Sequence, residues 1–187
     1  NFNVRWSHRQ DTKSSPNSNF SASVNLGSSQ YYRQSLNEFN NSNFLTNTFS
    51  SSISYQKTFT GTPFNMSANA THSQNTNTGT VTMALPSLQV SMSRIYPFAG
   101  KGGIKKNPLQ KMGLTYNMQG EYRINTNEDD FFKSEMFKTA KAGVQHRADA
   151  STNITLLNYF TLSPQVNYRE VWNFKKINKE FDPSIQN

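Results

Sequence analysis

The chain has 187 residues, 34% of them hydrophobic, with a mean hydropathy of -0.75, a formal net charge of +8 and no cysteine. The missing cysteine excludes disulfides and thiolate metal sites, and an aromatic content of 13% spread along the chain argues against a disordered segment. Charged residues make up only 16%, so the polarity comes from Asn, Ser, Thr and Gln, which suits strands with one wet face and one lipid face.

No apolar run approaches the roughly 20 residues that a membrane helix needs. The chain starts at Asn1-Phe2-Asn3-Val4, without an initiator Met and, by its alternation, inside a strand. It is expected to be a fragment of a longer precursor, so missing targeting signals carry no weight. The sequence pI of about 9.7 suits an anionic partner: nucleic acid, acidic lipid or phosphorylated glycolipid.

Two-residue periodicity dominates. Phe2, Val4, Trp6 and His8 alternate with Asn3, Arg5 and Ser7. Phe20, Ala22, Val24 and Leu26 alternate with Ser21, Ser23 and Asn25. Leu45, Phe49, Ile53, Tyr55 and Phe59 share a parity opposite Thr46, Thr48, Ser50, Ser52, Ser54 and Thr58. Phe64, Met66, Ala68 and Ala70 oppose Asn65, Ser67, Asn69 and Thr71. Val81, Met83 and Leu85 alternate up to Pro86, and Leu88, Val90 and Met92 resume on the other parity; this slip at Pro86-Ser87 predicts a bulge or kink. Met112, Leu114, Tyr116, Met118, Tyr122 and Ile124 alternate with Thr115, Asn117, Gln119, Glu121 and Arg123. Ala142, Val144 and Ala148 give a weaker pattern. Phe160, Leu162, Val166, Tyr168, Trp172 and Phe174 face away from Thr161, Ser163, Gln165, Asn167 and Arg169.

These segments predict about eight antiparallel strands, several near the 9–11 residues of a tilted membrane strand and longer than the five or six usual in soluble sheets. Tight turns are expected at 60–63 and 156–159, and longer connections at 28–43, 96–110 and 126–138. Short turns at one rim and long loops at the other would be the asymmetry of outer-membrane barrels. A β-sandwich or jelly roll also alternates, but its core is rich in Val, Ile and Leu. Here Phe, Tyr, Met and Ala face Ser, Thr and Asn, which favours an all-β transmembrane barrel segment over the sandwich. No boundary divides residues 1–187, which are expected to form part of one barrel domain.

The chemistry-bearing motifs are sparse. His8 and His72 share their strands' apolar parity, His146 lies beside Arg147 and Asp149, and none has a metal-ligand spacing. The acidic group at 127–132 with Glu135 is a solvated loop or a carboxylate cation site, and its spacing matches no calcium loop. No serine nucleophile motif is present, and Gly100, Gly102 and Gly103 lack phosphate-loop spacing. No catalytic residue, metal site or cofactor is expected. Lys101, Lys105 and Lys106, with Lys111 and neighbouring Arg94, cluster near one long connection. Lys175, Lys176 and Lys179 follow the last strand. Rim lysines can meet acidic head groups or serve solubility and edge protection. Nucleic acid is not the expected partner, because the aromatics share the apolar parity rather than a basic platform. Aromatics near strand ends (Tyr31, Tyr32, Tyr96, Phe98, Phe131, Phe132, Tyr159, Phe160, Trp172 and Phe174) suit a head-group girdle.

The pieces "NFSASVNLGSS", "SSSISYQKTF", "SANATHSQNT" and "LPSLQVSMSRIYPF" resemble the outer-membrane lipopolysaccharide-assembly family LptD, also called OstA or organic-solvent-tolerance protein, in its Bacteroidetes form. The resemblance covers most of the chain and weakens after about residue 125, although "INKEFDP" fits. It implies part of the barrel of a larger, non-enzymatic protein of the cell outer membrane. There a periplasmic jelly-roll receives lipopolysaccharide from periplasmic bridge proteins, and a barrel plugged by a small lipoprotein releases it into the outer leaflet. The expected partners are therefore lipopolysaccharide, outer-membrane lipids, the plug lipoprotein and the bridge proteins. The lipid-facing residues would be Leu45, Phe49, Ile53, Phe64, Met66, Ala68, Met112, Leu114 and Tyr116, with Lys101, Lys105, Lys106 and Arg94 as contacts for anionic lipid or a partner. The alternatives are another outer-membrane barrel (a small eight-stranded barrel, porin, transporter or secretion translocon) or a soluble β-sandwich glycan-binding or adhesin module.

Overall fold

The computed structural model of the protein describes residues 3–27, 48–157 and 159–175. The main sheet has eight antiparallel strands: β1 (Asn3–Arg9), β2 (Ser18–Gly27), β3 (Thr48–Thr58), β4 (Phe64–Asn75), β5 (Thr80–Ile95), β6 (Gly113–Asn127), β7 (Lys141–Ser151) and β10 (Gln165–Asn173). Each pairs with its neighbours in that order. The short strands β8 (Ile154–Leu156) and β9 (Phe160–Leu162) form a separate hairpin. A short helix, α1 (Ser134–Lys138), precedes β7. Among the described residues β1 and β10 each pair on one side only, so the sheet is open rather than a closed ring.

The register turns each strand's alternation into two continuous faces. Opposed residues in an antiparallel pair project to the same side. Pairs such as Ile53–Ala70, Tyr55–Ala68, Met66–Val90, Val90–Met118 and Tyr116–Ala148 carry the apolar set across the sheet. Ser52–Thr71, Asn65–Ser91, Gln89–Gln119 and Asn117–Arg147 carry the polar set on the other side. No second sheet packs on the apolar face among the described residues; the only other sheet is the β8–β9 hairpin.

The predicted slip in β5 is a bulge. Ala84 pairs with Thr71 and Ser87 with Asn69, so Leu85 and Pro86 together oppose Ala70; on the other side the same two residues oppose Tyr122. The extra residue returns Leu88, Val90 and Met92 to the face of Val81 and Met83. A second bulge, between Met92 and Ile95, places Ser93 and Arg94 opposite Thr115 alone.

Two expectations are corrected. The segment from Phe160 to Phe174 is not one strand: it breaks between β9 and β10 at Ser163 and Pro164, and Pro164 has no N–H for the ladder. The turn at 156–159 is accordingly the tip of the β8–β9 hairpin. Connection lengths also do not sort by rim. Among the described residues the first rim holds the connections 10–17, 59–63, 96–112 and 152–164, and the second holds 76–79 and 128–140, so the short turn at 60–63 and the long loop at 96–110 lie at the same rim.

Candidate lipid-facing surface and basic rim

Phe49, Ile53, Phe64, Met66, Ala68, Leu114 and Tyr116 share the apolar face, where alternation places them. Met112 precedes β6 and belongs to no strand. Leu45 lies outside the described residues, as do Tyr31, Tyr32, Lys176 and Lys179. The apolar face is open in some places and covered in others. Trp6 (49% exposed), Ile53 (37%) and Phe64 (38%) present apolar surface, whereas Phe49 is 1% exposed.

The cover at the second-rim end is the 128–140 connection. A 3-10 turn (Glu128–Asp130) and α1 fold back over the apolar face, and Met136 and Ala140 pack with Val81, Met83 and Ile124, flanked by Tyr122 and Phe131. The Phe131 ring stacks on His72 at 5.6 Å. The acidic stretch 127–132 with Glu135, expected as a solvated loop or cation site, thus belongs to a lid whose Phe131, Met136 and Ala140 point inward while Phe132 and Phe137 stay exposed. Among the described residues no three His, Asp or Glu side chains assemble a metal site. The Glu135 carboxyl is held below its ordinary range, first by a backbone hydrogen bond of its own residue and then by the Ser134 hydroxyl at 3.1 Å; Lys138 lies 3.5 Å away.

The histidines join aromatic clusters. His8 stacks on Trp6 and tilts against Phe20. Tyr116 Oη lies 2.7 Å from His146 Nδ1, and Trp172 packs on the same imidazole at 4.5 Å.

At the first rim the structure joins two of the four predicted basic residues around Tyr96. Lys105 Nζ sits 3.0 Å from the ring centroid, and the Arg94 guanidinium 5.7 Å from it, within cation–π range. The Arg94 Nη2 donates to the Ser151 carbonyl at 3.2 Å and to the Ser151 hydroxyl. This path crosses Gly113, where a Cβ would lie 1.9 Å from Arg94 Nε. Lys101, in a 3-10 turn, and Lys106 are exposed and have no ion-pair partner among the described residues. With Lys13 and Lys111 they give the first rim five lysines against Asp11, whereas the described connections of the second rim hold Glu128, Asp129, Asp130 and Glu135 against Lys133 and Lys138. Lys175 lies at this second rim, its Nζ donating to the carbonyls of Phe137 and Lys138.

Sequence reasoning missed the apolar hairpin at the first rim. Leu157 (81% exposed), Tyr159 (88%) and Phe160 (65%) project from it, and Thr152 Oγ1 ties its base to the lysine loop by donating to the Pro108 carbonyl at 2.6 Å. "LLNYF" at 156–160 was the available signal.

Long antiparallel strands, one apolar face and one hydroxyl-and-amide face define an all-β protein built on an amphipathic sheet. The family model described as LptD protein matches residues 1–187, the whole chain, so the chain belongs to the LptD family. That is a family of lipopolysaccharide-transport proteins of the outer membrane, not of enzymes. No curated protein and no solved structure matches the chain.

Proposed function

We propose that residues 1–187 are one stretch of the wall of a larger outer-membrane β-barrel, of the Bacteroidetes type, that delivers lipopolysaccharide to the outer leaflet. The single observation that carries this reading is the sheet's two-sidedness, with an apolar face that no second sheet covers among the described residues. At about 3.4 Å per residue, β4 to β6, with 12, 16 and 15 residues, are long enough to cross a hydrocarbon layer of about 30 Å at a tilt. The outer edges of β1 and β10, which pair with no further strand among the described residues, suit continuation into further strands, since a membrane leaves no water to satisfy a free edge.

In this reading Ile53, Phe64, Met66, Ala68, Leu114 and Tyr116 meet lipid, while Asn65, Ser67, Asn69 and Thr71 meet a hydrated lumen. The chain's role is passive: it separates lipid from an aqueous path for the saccharide part of an amphiphile. Plug lipoprotein and bridge proteins contribute the rest. Lys101, Lys105, Lys106 and Arg94, beside the exposed Tyr159 and Phe160, contact anionic head groups at the first rim.

The test pairs two central β4 neighbours in the full-length protein. Ala68→Arg puts a charge in lipid and should cost about 2–4 kcal/mol, lowering outer-membrane assembly. Asn69→Arg points into water and should assemble nearly as the unaltered protein does. Equal effects, or the reverse order, would refute the assignment of faces.

A further inference from the structure

The polar face is divided chemically. From β2 through β5 its side chains are Asn, Gln, Ser and Thr with Ala84, and the one charge is Arg94 at the first-rim end of β5, which crosses Gly113 to Ser151. Over β6, β7 and β10 the same face turns basic, and the register sets like charges directly opposite: Arg123 against Lys141, and Arg147 against Arg169. Such placement is unfavourable for the sheet itself. Only two carboxylates on these strands' polar face answer the four cations. Arg123 Nη2 lies 2.7 Å from Glu121 Oε1, and Arg147 Nε lies 3.1 Å from Asp149 Oδ2. Arg169 donates to Gln145 Oε1 at 2.8 Å, and Lys141 has no ion-pair partner among the described residues.

Beside the Arg123–Lys141 pair is a groove of about 550 Å³, lined by Gln89, Gln119, Gln145 and Asn173 as well as both cations. Gly143 lies in its floor, where a Cβ would come within 3.1 Å of the Trp172 carbonyl and 3.3 Å of Asn173 Oδ1. The amide lining offers donors and acceptors together, which matches a sugar hydroxyl that both donates and accepts. Two cations against the single carboxylate of Glu121 leave one positive charge over, which fits a phosphate or carboxylate, and guanidinium can hold such a group through two hydrogen bonds. None of the described strand residues on the polar face is aromatic, so no ring stacks on the sugar and contact stays weak and reversible.

We propose that this groove is a binding site for an anionic saccharide, with Arg123 and Lys141 on the acidic group and the Gln and Asn side chains on the hydroxyls. The proposal rests on the polar face being hydrated. Its probes are soluble, so its failure leaves the lipid-face test with Ala68 and Asn69 undisturbed.

Saturation-transfer NMR on the full-length protein in detergent micelles, with maltotriose 6-phosphate, maltotriose, inorganic phosphate and polyglutamate as probes, tests it. The sugar phosphate should bind better than either maltotriose or phosphate. Arg123→Gln with Lys141→Gln should weaken it about tenfold, in line with losing charge-assisted bonds, while removing an unfavourable cross-strand pair. Glu121→Gln, which deletes the competing carboxylate, should strengthen it severalfold, a gain that misfolding cannot mimic. Equal binding of free phosphate marks a bare anion site and overturns the saccharide assignment. Preference for polyglutamate overturns it in favour of a protein partner, and unchanged binding in both variants overturns the site itself.

Discussion

Met136 fastens the 128–140 cover to the apolar face, and Met136→Ala tests that fastening. The side chain is 4% exposed and packs among Val81, Met83 and Ile124. Truncation removes its γ, δ and ε atoms from this cluster. At about 0.8 kcal/mol per buried methylene-sized group the loss is about 2 kcal/mol, at the low end of Met→Ala changes in cores because a surface cover can settle into the gap. The β-ladders beneath do not depend on the contact, so the loss should appear as local opening rather than global unfolding. A change of about 2 kcal/mol raises the open fraction about thirtyfold. Lys133 and Lys138 flank Met136, so limited trypsinolysis of the folded protein, followed by mass spectrometry, reports the opening. Cleavage at these two lysines should accelerate by about that factor in the regime where opening is fast relative to cutting. Met118→Ala, on the same face outside the cluster, should leave both sites as slow as before. Cleavage in Met136→Ala within twofold of the unaltered protein would show that the cover is not held by its apolar contacts.

Three further outcomes follow. Replacing Lys101, Lys105 and Lys106 together by Gln should leave assembly intact, because exposed charges add little to folding, yet weaken binding to anionic vesicles by about 1 kcal/mol per charge at low salt, with the difference shrinking as salt rises; vesicle co-sedimentation across a salt series checks this. Gly113→Ala should displace Arg94 from Ser151, so its vesicle binding should match that of Arg94→Gln; a normal Gly113→Ala beside an impaired Arg94→Gln would show the displacement to be harmless. Because the Glu135 pKa is lowered in the fold, its contribution to the cover is complete above the ordinary glutamate range and disappears as pH falls through the lowered value; hydrogen exchange of residues 128–140 should show that loss and show none in Glu135→Gln.

Strand existence and face were legible because alternation is a local property: the residues from Phe64 to Thr71 reveal their two sides without reference to any neighbour. The β5 slip was legible for the same reason. The side of each rim was available from counting, since 60–63 and 96–110 are separated by two strands and must lie at one end. The cover was not legible, because "FFKSEMFK" shows charges at short range while its Met136 and Phe131 find their partners on β4, β5 and β6. Nor was the groove: Arg123 and Lys141 become neighbours only once the β6–β7 register is fixed. The open apolar face was expected correctly in type, but the burial of Phe49 depends on tertiary packing.

The bulge at Leu85 and Pro86 bears on which length changes this family can inherit. Insertions in the rim connections shift nothing beyond themselves. Loss of Leu85 or Pro86, with pairing otherwise kept, would remove the bulge and leave Leu88, Val90 and Met92 on the apolar side, whereas loss of one residue from the regular stretch Ser87 to Met92 would turn the residues beyond it to the opposite face. A lineage that lost the extra residue would need no compensating change, so single deletions should be tolerated at the bulge, as in the loop that carries the lysines, and be far rarer in the regular stretches on either side of it.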